Sequence, residues 1–269
     1  MSNEKIHEAE LEVAKHFVEI CKKNNLEYFM LGGTFLGAVR HKGFIPWDDD
    51  MDFGMPRRDY EQFIKIVKTQ NNGDYLLAIF EDGNNHDYPI KLESTKQRIK
   101  EFSTGKERVR NAWIDIFPLD GMPNSKLAQN VQKFRLLSLR ALFKLSQLSK
   151  NVSVDNPYRT STEKIIISVG RIIRLEKLLS EEKLFHKLDR QLKKYSYENS
   201  DFVVNFMGAY KFKEMFPKKI YEDLISYEFE DVTFKAPTDY DLVLTQMYGD
   251  YLVPPKDEDK NKHNTEIQE

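Results

Sequence analysis

Between Phe44 and Met55 the chain reads FIPWDDDMDFGM, and no other stretch limits its possible folds so strongly. Asp48, Asp49, Asp50 and Asp52 crowd four carboxylates into five positions. From Asp50 onward acids alternate with large apolar residues, Asp50-Met51-Asp52-Phe53, which is the period of a strand. Residues two apart on a strand share a face about 7 Å apart. Asp50 and Asp52 should therefore project together while Met51 and Phe53 enter a core; Asp48 has their parity and Asp49 the opposite one. Two ionised carboxylates about 6 Å apart repel by about 3 kcal/mol at an effective dielectric near 20. A raised pKa, basic partners or a divalent cation must offset that. Oxygen-only donors suit a hard ion, Mg²⁺ or Mn²⁺, of the kind shared with substrate phosphates. A solvated acidic turn is the plainer alternative. A calcium loop starting at Asp48 fits poorly, because Phe53 stands where such a loop needs glycine.

Upstream, residues 26–31 (LEYFML) read as a short strand, followed by Gly32-Gly33-Thr34 and an apolar helical segment from Phe35 to Val39. A strand running through Gly-Gly into a helix start offers bare backbone N–H groups to a phosphate. Gly-Gly alone is an ordinary turn. Gly-Gly-Thr followed at this distance by Asp-x-Asp on a second strand is the layout of the nucleotidyltransferase, or polymerase-β-like, fold. The expected class is accordingly α+β, a mixed sheet flanked by helices with a largely helical middle and C-terminal region. That layout requires a third carboxylate on a later strand. Asp115 is the candidate, standing alone between Ile114 and Ile116, where burial without a partner would cost several kcal/mol. Arg40, beside His41 and Lys42, suits bidentate phosphate contact. Lys91 faces away from Ile90 and Leu92 in a strand over 88–93, as a partner for a phosphate or for the acids, or simply as a surface lysine. Asp120, next to Gly121 and ahead of Pro123, reads as a turn residue.

Residues 32–63, GGTFLGAVRHKGFIPWDDDMDFGMPRRDYEQF, strongly resemble the signature of the LicD family of phosphotransferases, relatives of fukutin and fukutin-related protein. WIDIFPLDG (113–121) and APTDYDLVLTQMYGDYLVPP (236–255) agree with it, so the resemblance touches both ends of the chain and leaves the middle unmatched. Two divalent ions about 3.5–4 Å apart can hold the attacking and leaving oxygens of an in-line phosphoryl displacement. Asp50 and Asp52 would be the shared ligands, and Asp115 would complete the coordination of the second ion, lie near the acceptor hydroxyl and take its proton. Asp48 would add a ligand or support the ligands from behind, Asp49 would matter least, and Gly32, Gly33 and Thr34 would seat the donor phosphates. The resemblance implies CDP-choline as donor, a sugar hydroxyl of a cell-surface glycan or teichoic-acid-type precursor as acceptor, and CMP as leaving group. Glycerol- or ribitol-phosphate transfer stays open. So do nucleotidyl transfer from an NTP with release of pyrophosphate, and a non-catalytic glycan-binding role. Trp47, Trp113 and several tyrosines are available for a quaternary ammonium, but the sequence does not show whether they converge.

A net charge of −2 gives no global field toward nucleic acid, and 40% hydrophobic residues suffice for a core. Cys21 is the single cysteine, which excludes an internal disulfide framework. A polar first ten residues and the lack of an apolar run near 20 residues lead us to expect a cytoplasmic chain. Residues 124–150 hold six Lys or Arg and no acid. Lys126, Lys133, Arg140 and Lys144 recur about every seven residues, with Val131, Phe134, Leu137, Leu142 and Leu145 elsewhere on the helical wheel. Such a helix serves either as a peripheral docking surface at the inner membrane face, useful for a lipid-linked acceptor, or as a core-packed helix with a solvated basic side. A polar linker over 151–162 and a second apolar-basic run over 165–175 follow. The expected division is a catalytic core (1–123), a basic helical insertion (124–200), a segment packing back on the core (201–255) and a mobile tail (256–269). Further expected elements are helices over 4–24, 180–197 and 239–248, a helix with Pro56 at its first position, strands over 75–80 and 202–206, and a hairpin over 227–234.

Overall fold

The computed structural model describes residues 2–70, 72–101, 108–147, 178–256 and 265–267. The expected linker over 151–162, the run over 165–175 and nearly all of the tail lie outside the described residues. Helix α1 spans Ser2–Lys23, and strand β1, Phe29–Met30, leads directly into α2, Gly32–His41. The acid loop follows, then β2 (Asp52–Pro56), α3 (Arg57–Thr69) and β3 (Tyr75–Ala78). Two long strands come next, β4 (Ile90–Glu101) and β5 (Arg108–Met122), and then α4 (Lys126–Ser146) and α5 (Glu181–Leu192). Short strands β6 (Phe202–Val204) and β7 (Met215–Pro217) precede the hairpin β8 (Leu224–Phe229) and β9 (Val232–Pro237). Helix α6 (Tyr240–Tyr248) and β10 (Thr265–Ile267) complete the described elements.

The result is an α+β fold around a mixed sheet ordered β1-β2-β5-β4-β10, with β3 also on β4 and β6-β7 continuing from the far end of β5. Only β2 and β5 run parallel among these described pairs; the rest are antiparallel. This places the Asp-x-Asp strand between two partners, with Asp52 directly across from Asp115. One core gathers on that sheet. Phe17 of α1 sits 5.1 Å from Phe53 of β2 and 5.2 Å from Phe63 of α3, ring centre to ring centre. Each such buried ring contributes roughly 1.5–3 kcal/mol. A second core joins α4, α5 and β6 through Phe143, Phe185, Leu188 and Val204. A third, smaller cluster presses Ile6 and Ala9 of α1 onto Ile99, Ala112 and Trp113 of β4 and β5.

Several expectations change in detail. The first strand shrinks from 26–31 to two paired residues, and α2 begins at Gly32, so the glycines form its first turn rather than a turn before it. Pro56 ends β2 and occupies the cap position of α3, one residue before the place expected. Asp120 is no turn residue: it is buried on β5 and receives Arg57 at 2.7 and 2.6 Å, a partner 63 positions away. Helix α4 is rotated relative to the docking reading. Its buried face carries Gln129, Gln132, Leu136 and Phe143, while Leu127 and Phe134 are 78% and 72% exposed. Arg140 turns inward, donating to the carbonyls of Phe206 and Gly208; Lys133 lies over the Phe212 ring and Lys144 pairs with Asp87. The glutamines can be buried because they are satisfied, Gln132 bonding to Gln191 of α5.

Candidate active site

The site is assembled where β1 runs into α2. The Asp52 N–H donates to Thr34 Oγ1 at 2.8 Å, and its carbonyl accepts the Leu31 N–H at 3.0 Å, tying β2 to the helix start. Thr34 is 4% exposed, so its hydroxyl holds this strand in place. Gly32 has φ +50°, and a Cβ there would stand 3.0 Å from Asp52 Oδ2. At Gly33 a Cβ would come within 2.3 Å of Asp48 Oδ2. Two glycines thus let two carboxylates approach the first turn of α2, the end of a helix that favours negative charge.

Strand pairing begins at Asp52, so strand parity does not govern Asp48, Asp49 and Asp50. A tight turn, with the Asp48 N–H on the Ile45 carbonyl at 2.9 Å, carries these three in a loop. Asp49, expected to point away, is buried, and all three line one cavity. That cavity measures about 660 Å³. Gly33 and Arg40 of α2, Trp47, and Tyr210, Tyr248 and Tyr251 from the C-terminal part of the chain also line it. Arg40 Nη1 donates to the Tyr251 carbonyl at 2.8 Å and the guanidinium lies over Trp47, 5.8 Å from the ring centre. Burial lowers its pKa.

Asp52, Asp115 and Lys91 are not among the lining residues; they form the adjoining layer on the sheet. Lys91 Nζ reaches both Asp115 oxygens at 2.7 and 3.0 Å, so the surface-lysine alternative is excluded by its burial. Burial works against its charge, yet Asp115 outweighs this and its pKa is raised. Trp113 Nε1 donates to Asp115 Oδ2 at 3.1 Å, so a ring and an ammonium fix this carboxylate from two sides. Among the described residues Asp52 has no such cation. Burial first, then the charges of Asp50, Asp115 and Asp48, push its carboxyl well above the ordinary range.

Two participants were not foreseen. Glu10 of α1 is 0% exposed, and neither carboxylate oxygen has a hydrogen-bond partner among the described residues. Burial, then Asp50, Asp49, Asp48 and Asp115, raise its pKa well above the usual value. The clue was its position: Ile6, Glu10, Val13 and Phe17 share one helical stripe, which makes Glu10 an acid on an apolar face. His7 donates from Nε2 to the Asp48 carbonyl at 2.7 Å and stacks on Phe44.

Residues 25–149 match the LicD/FKTN/FKRP nucleotidyltransferase domain. The chain carries a LicD-family domain. It is 28% identical over 267 residues to the lipopolysaccharide cholinephosphotransferase LicD of Haemophilus influenzae, covering 94% of this chain and 92% of that protein. Two further matches are short. An uncharacterized protein of Rickettsia typhi is 49% identical over 49 residues, 18% of this chain and 16% of its own. The human ribitol 5-phosphate transferase FKRP is 40% identical over 48 residues, 18% of this chain and 10% of its own. The LicD-family domain supplies one wall of the cavity, and residues 209–255, outside the matched 25–149, supply the other.

Among the described residues, no group of three or more His, Cys, Asp or Glu side chains is gathered closely enough to hold a metal ion. The fit to a hard divalent cation therefore lies in donor type and charge. The donors are all carboxylates, and among the described residues Asp52 has no cationic partner and the two buried oxygens of Glu10 have no hydrogen bonds. Buried acids in this state are satisfied either by protonation or by a cation.

Proposed function

We propose that this chain is a metal-dependent phosphotransferase that moves a phosphorylated alcohol, phosphocholine first, from a CDP-activated donor to a sugar hydroxyl of a cell-surface glycan precursor. CMP is the leaving group. The observation that carries this reading is the pairing of Asp52 and Asp115 across β2 and β5, behind a cavity that brings Asp48 and Asp50 against the start of α2. The LicD relative, a lipopolysaccharide cholinephosphotransferase, and FKRP, a ribitol 5-phosphate transferase, support transfer of a phosphorylated alcohol.

In this reading Asp48, Asp50, Asp52 and Asp115 would hold Mg²⁺ or Mn²⁺, which when bound would supply neutralising charge for the phosphoryl group. The residues themselves position the reactants, the larger part of what a phosphoryl transferase contributes. Gly33 leaves the first turn of α2 open to phosphate oxygens, and Arg40 guards the cavity rim. Asp115, oriented by Lys91 and Trp113 in the layer behind the cavity, would accept the acceptor hydroxyl proton once substrate reaches that layer. Thr34 and Gly32 serve Asp52 rather than the donor directly. No helix among the described residues is long and apolar enough to cross a membrane. A lipid-linked acceptor would be met from one side of the bilayer, at its inner face.

A panel of CDP-alcohols (choline, glycerol, ribitol) with Mg²⁺, scored by CMP release, tests the reading. CMP release that disappears in Asp50→Asn supports it. Pyrophosphate release from an NTP, without CMP release from any CDP-alcohol, replaces it with nucleotidyl transfer. Unchanged turnover in Asp50→Asn removes the catalytic reading.

A further inference from the structure

Helix α4 carries a row of apolar residues on its outer side. Leu127, Val131, Phe134 and Leu142 recur at helical spacing opposite Gln132, Leu136 and Phe143, and all four are exposed. The buried side, in turn, takes in polar Gln129, Gln132 and Ser146 beside Leu136 and Phe143. A contiguous row of large exposed apolar groups marks a surface that meets something other than water. We infer that this row docks on an anionic lipid bilayer, with α4 lying in the plane of the interface.

Charge decides the occupant. From Lys126 to Ser146 the helix has three Lys, two Arg and neither Asp nor Glu. Arg140 is turned into the fold, Lys133 lies over Phe212 and Lys144 reaches Asp87. Lys126, next to Leu127, and Arg135, next to Phe134, stay exposed and form no ion pair among the described residues. Long basic side chains beside an apolar row can hold lipid phosphates while the row enters the acyl boundary. A second copy of the chain fits less well. A two-fold contact sets a patch against itself, and this one would bring cation to cation.

The docking helix is also fastened to the cavity wall. Arg140 donates to the carbonyls of Phe206 and Gly208, and the next two residues, Ala209 and Tyr210, line the cavity. The same segment holds α6, where Gln246 donates to the Met215 carbonyl at 3.1 Å and Tyr248 packs edge-on against Tyr210. Beyond α6 the chain is apolar and exposed at Leu252 and Val253, and Val253 lines the cavity too. A bilayer against α4 thus touches an element joined directly to the wall of the cavity, which would suit a lipid-linked acceptor. That consequence rests on the phosphotransferase reading; the docking itself does not.

Flotation of the full chain with vesicles is the test, one set of phosphatidylcholine alone and one an equal mixture with phosphatidylglycerol. The wild type is compared with two double variants, Leu127→Ser with Phe134→Ser and Lys126→Glu with Arg135→Glu. All four positions are exposed, so circular dichroism and melting temperature should match the wild type. The expected result is wild-type binding to the mixed vesicles that falls with added salt, and that drops about tenfold or more on phosphatidylcholine alone and in each double variant. No vesicle binding by the wild type overturns the inference, as does equal binding by all three proteins. So does a wild-type dimer in sedimentation velocity that the serine pair makes monomeric, which would assign the row to a second copy. Should a variant misfold, the lipid preference and salt dependence of the wild type still decide. Flotation uses no substrate, so its outcome is separate from whether any CDP-alcohol is turned over.

Discussion

Glu10 bears the most lopsided environment of any residue near the site: no exposure, no hydrogen bond to either oxygen, and four aspartates acting on it. A buried polar group left unsatisfied costs about 1–3 kcal/mol. Replacing it with an apolar group of similar size, Glu10→Leu, should therefore raise stability by about that amount in a chelating buffer, read from urea unfolding. If Glu10 helps hold a cation, the same variant should lose part of the Mg²⁺-induced stabilisation of the wild type. A destabilised Glu10→Leu would show that this carboxylate has a partner after all. Lys91 gives the opposite expectation. Lys91→Met strands Asp115 beside Trp113 with its ammonium gone, and breaking such a buried pair costs about 3–5 kcal/mol. Unchanged unfolding midpoints would contradict that. These two residues also show what sequence can reveal. Asp115 was legible because a lone acid between two isoleucines must have a reason. Lys91 was legible only as one of two alternatives, since its partner lies on the neighbouring strand. Glu10 was hidden because a charge in a charged helix is easily counted as solvent-facing.

Among the elements, α2 separates a functional glycine from a structural one. A Cβ at Gly33 would meet Asp48 Oδ2 at 2.3 Å, the end of a side chain that can rotate away. A Cβ at Gly37 would meet the Gly43 carbonyl oxygen at 2.4 Å, which is backbone and cannot. Gly33→Ala should keep its melting temperature within about 3 °C while losing more than tenfold in transfer activity, since a ΔΔG near 1 kcal/mol moves a chain of this size by about 2–4 °C. Gly37→Ala should lose stability outright. Equal melting temperatures for the two variants would contradict the distinction. The segment after β6 adds a pH dependence. Burial lifts Glu214 to about 7, with the Tyr210 N–H, Asn205 and Arg140 pulling the other way. Because the folded pKa is above the unfolded one, its contribution to stability is fully present below about 4.5 and is lost as pH rises through about 7. Ionisation near 7 in turn strengthens the bonds it accepts, so amide exchange at Tyr210, whose N–H it accepts, should slow relative to the rest of the chain across that pH, and Glu214→Gln should remove the step. At this scale the sequence spoke clearly for helices with one apolar face, such as α1. It misled at α4, where hydrogen-bonded glutamines take the buried face and phenylalanine faces out, a choice decided by partners on α5 and the segment after β6.

The molecule as a whole joins two cores, one on the sheet around Phe17 and Phe53 and one between α4, α5 and β6. A single charged network spans them. Arg57 of α3 donates to Asp120 of β5 and to the Tyr88 hydroxyl at 3.0 Å, and Tyr88 donates to Asp189 of α5 at 2.7 Å. Burial opposes the charge on Arg57, but Asp120 and Tyr88 more than compensate and its pKa is raised further. No part of this network was legible in sequence, because Gly121 and Pro123 disguise Asp120 as a turn and its partners lie 63 and 101 positions apart along the chain. Arg57→Met leaves Asp120 buried without its cation and should cost about 3–5 kcal/mol. A second effect follows from the position of the network rather than its strength. Both tryptophans, Trp47 and Trp113, belong to the sheet side, whereas α4 and α5 contribute heavily to the far-ultraviolet signal. In the wild type, fluorescence and circular dichroism should trace one urea transition, the mark of a single cooperative unit. In Arg57→Met the two traces should separate, with the helical signal lost first. Traces that move together to lower urea would mean that the network adds stability without coupling the cores.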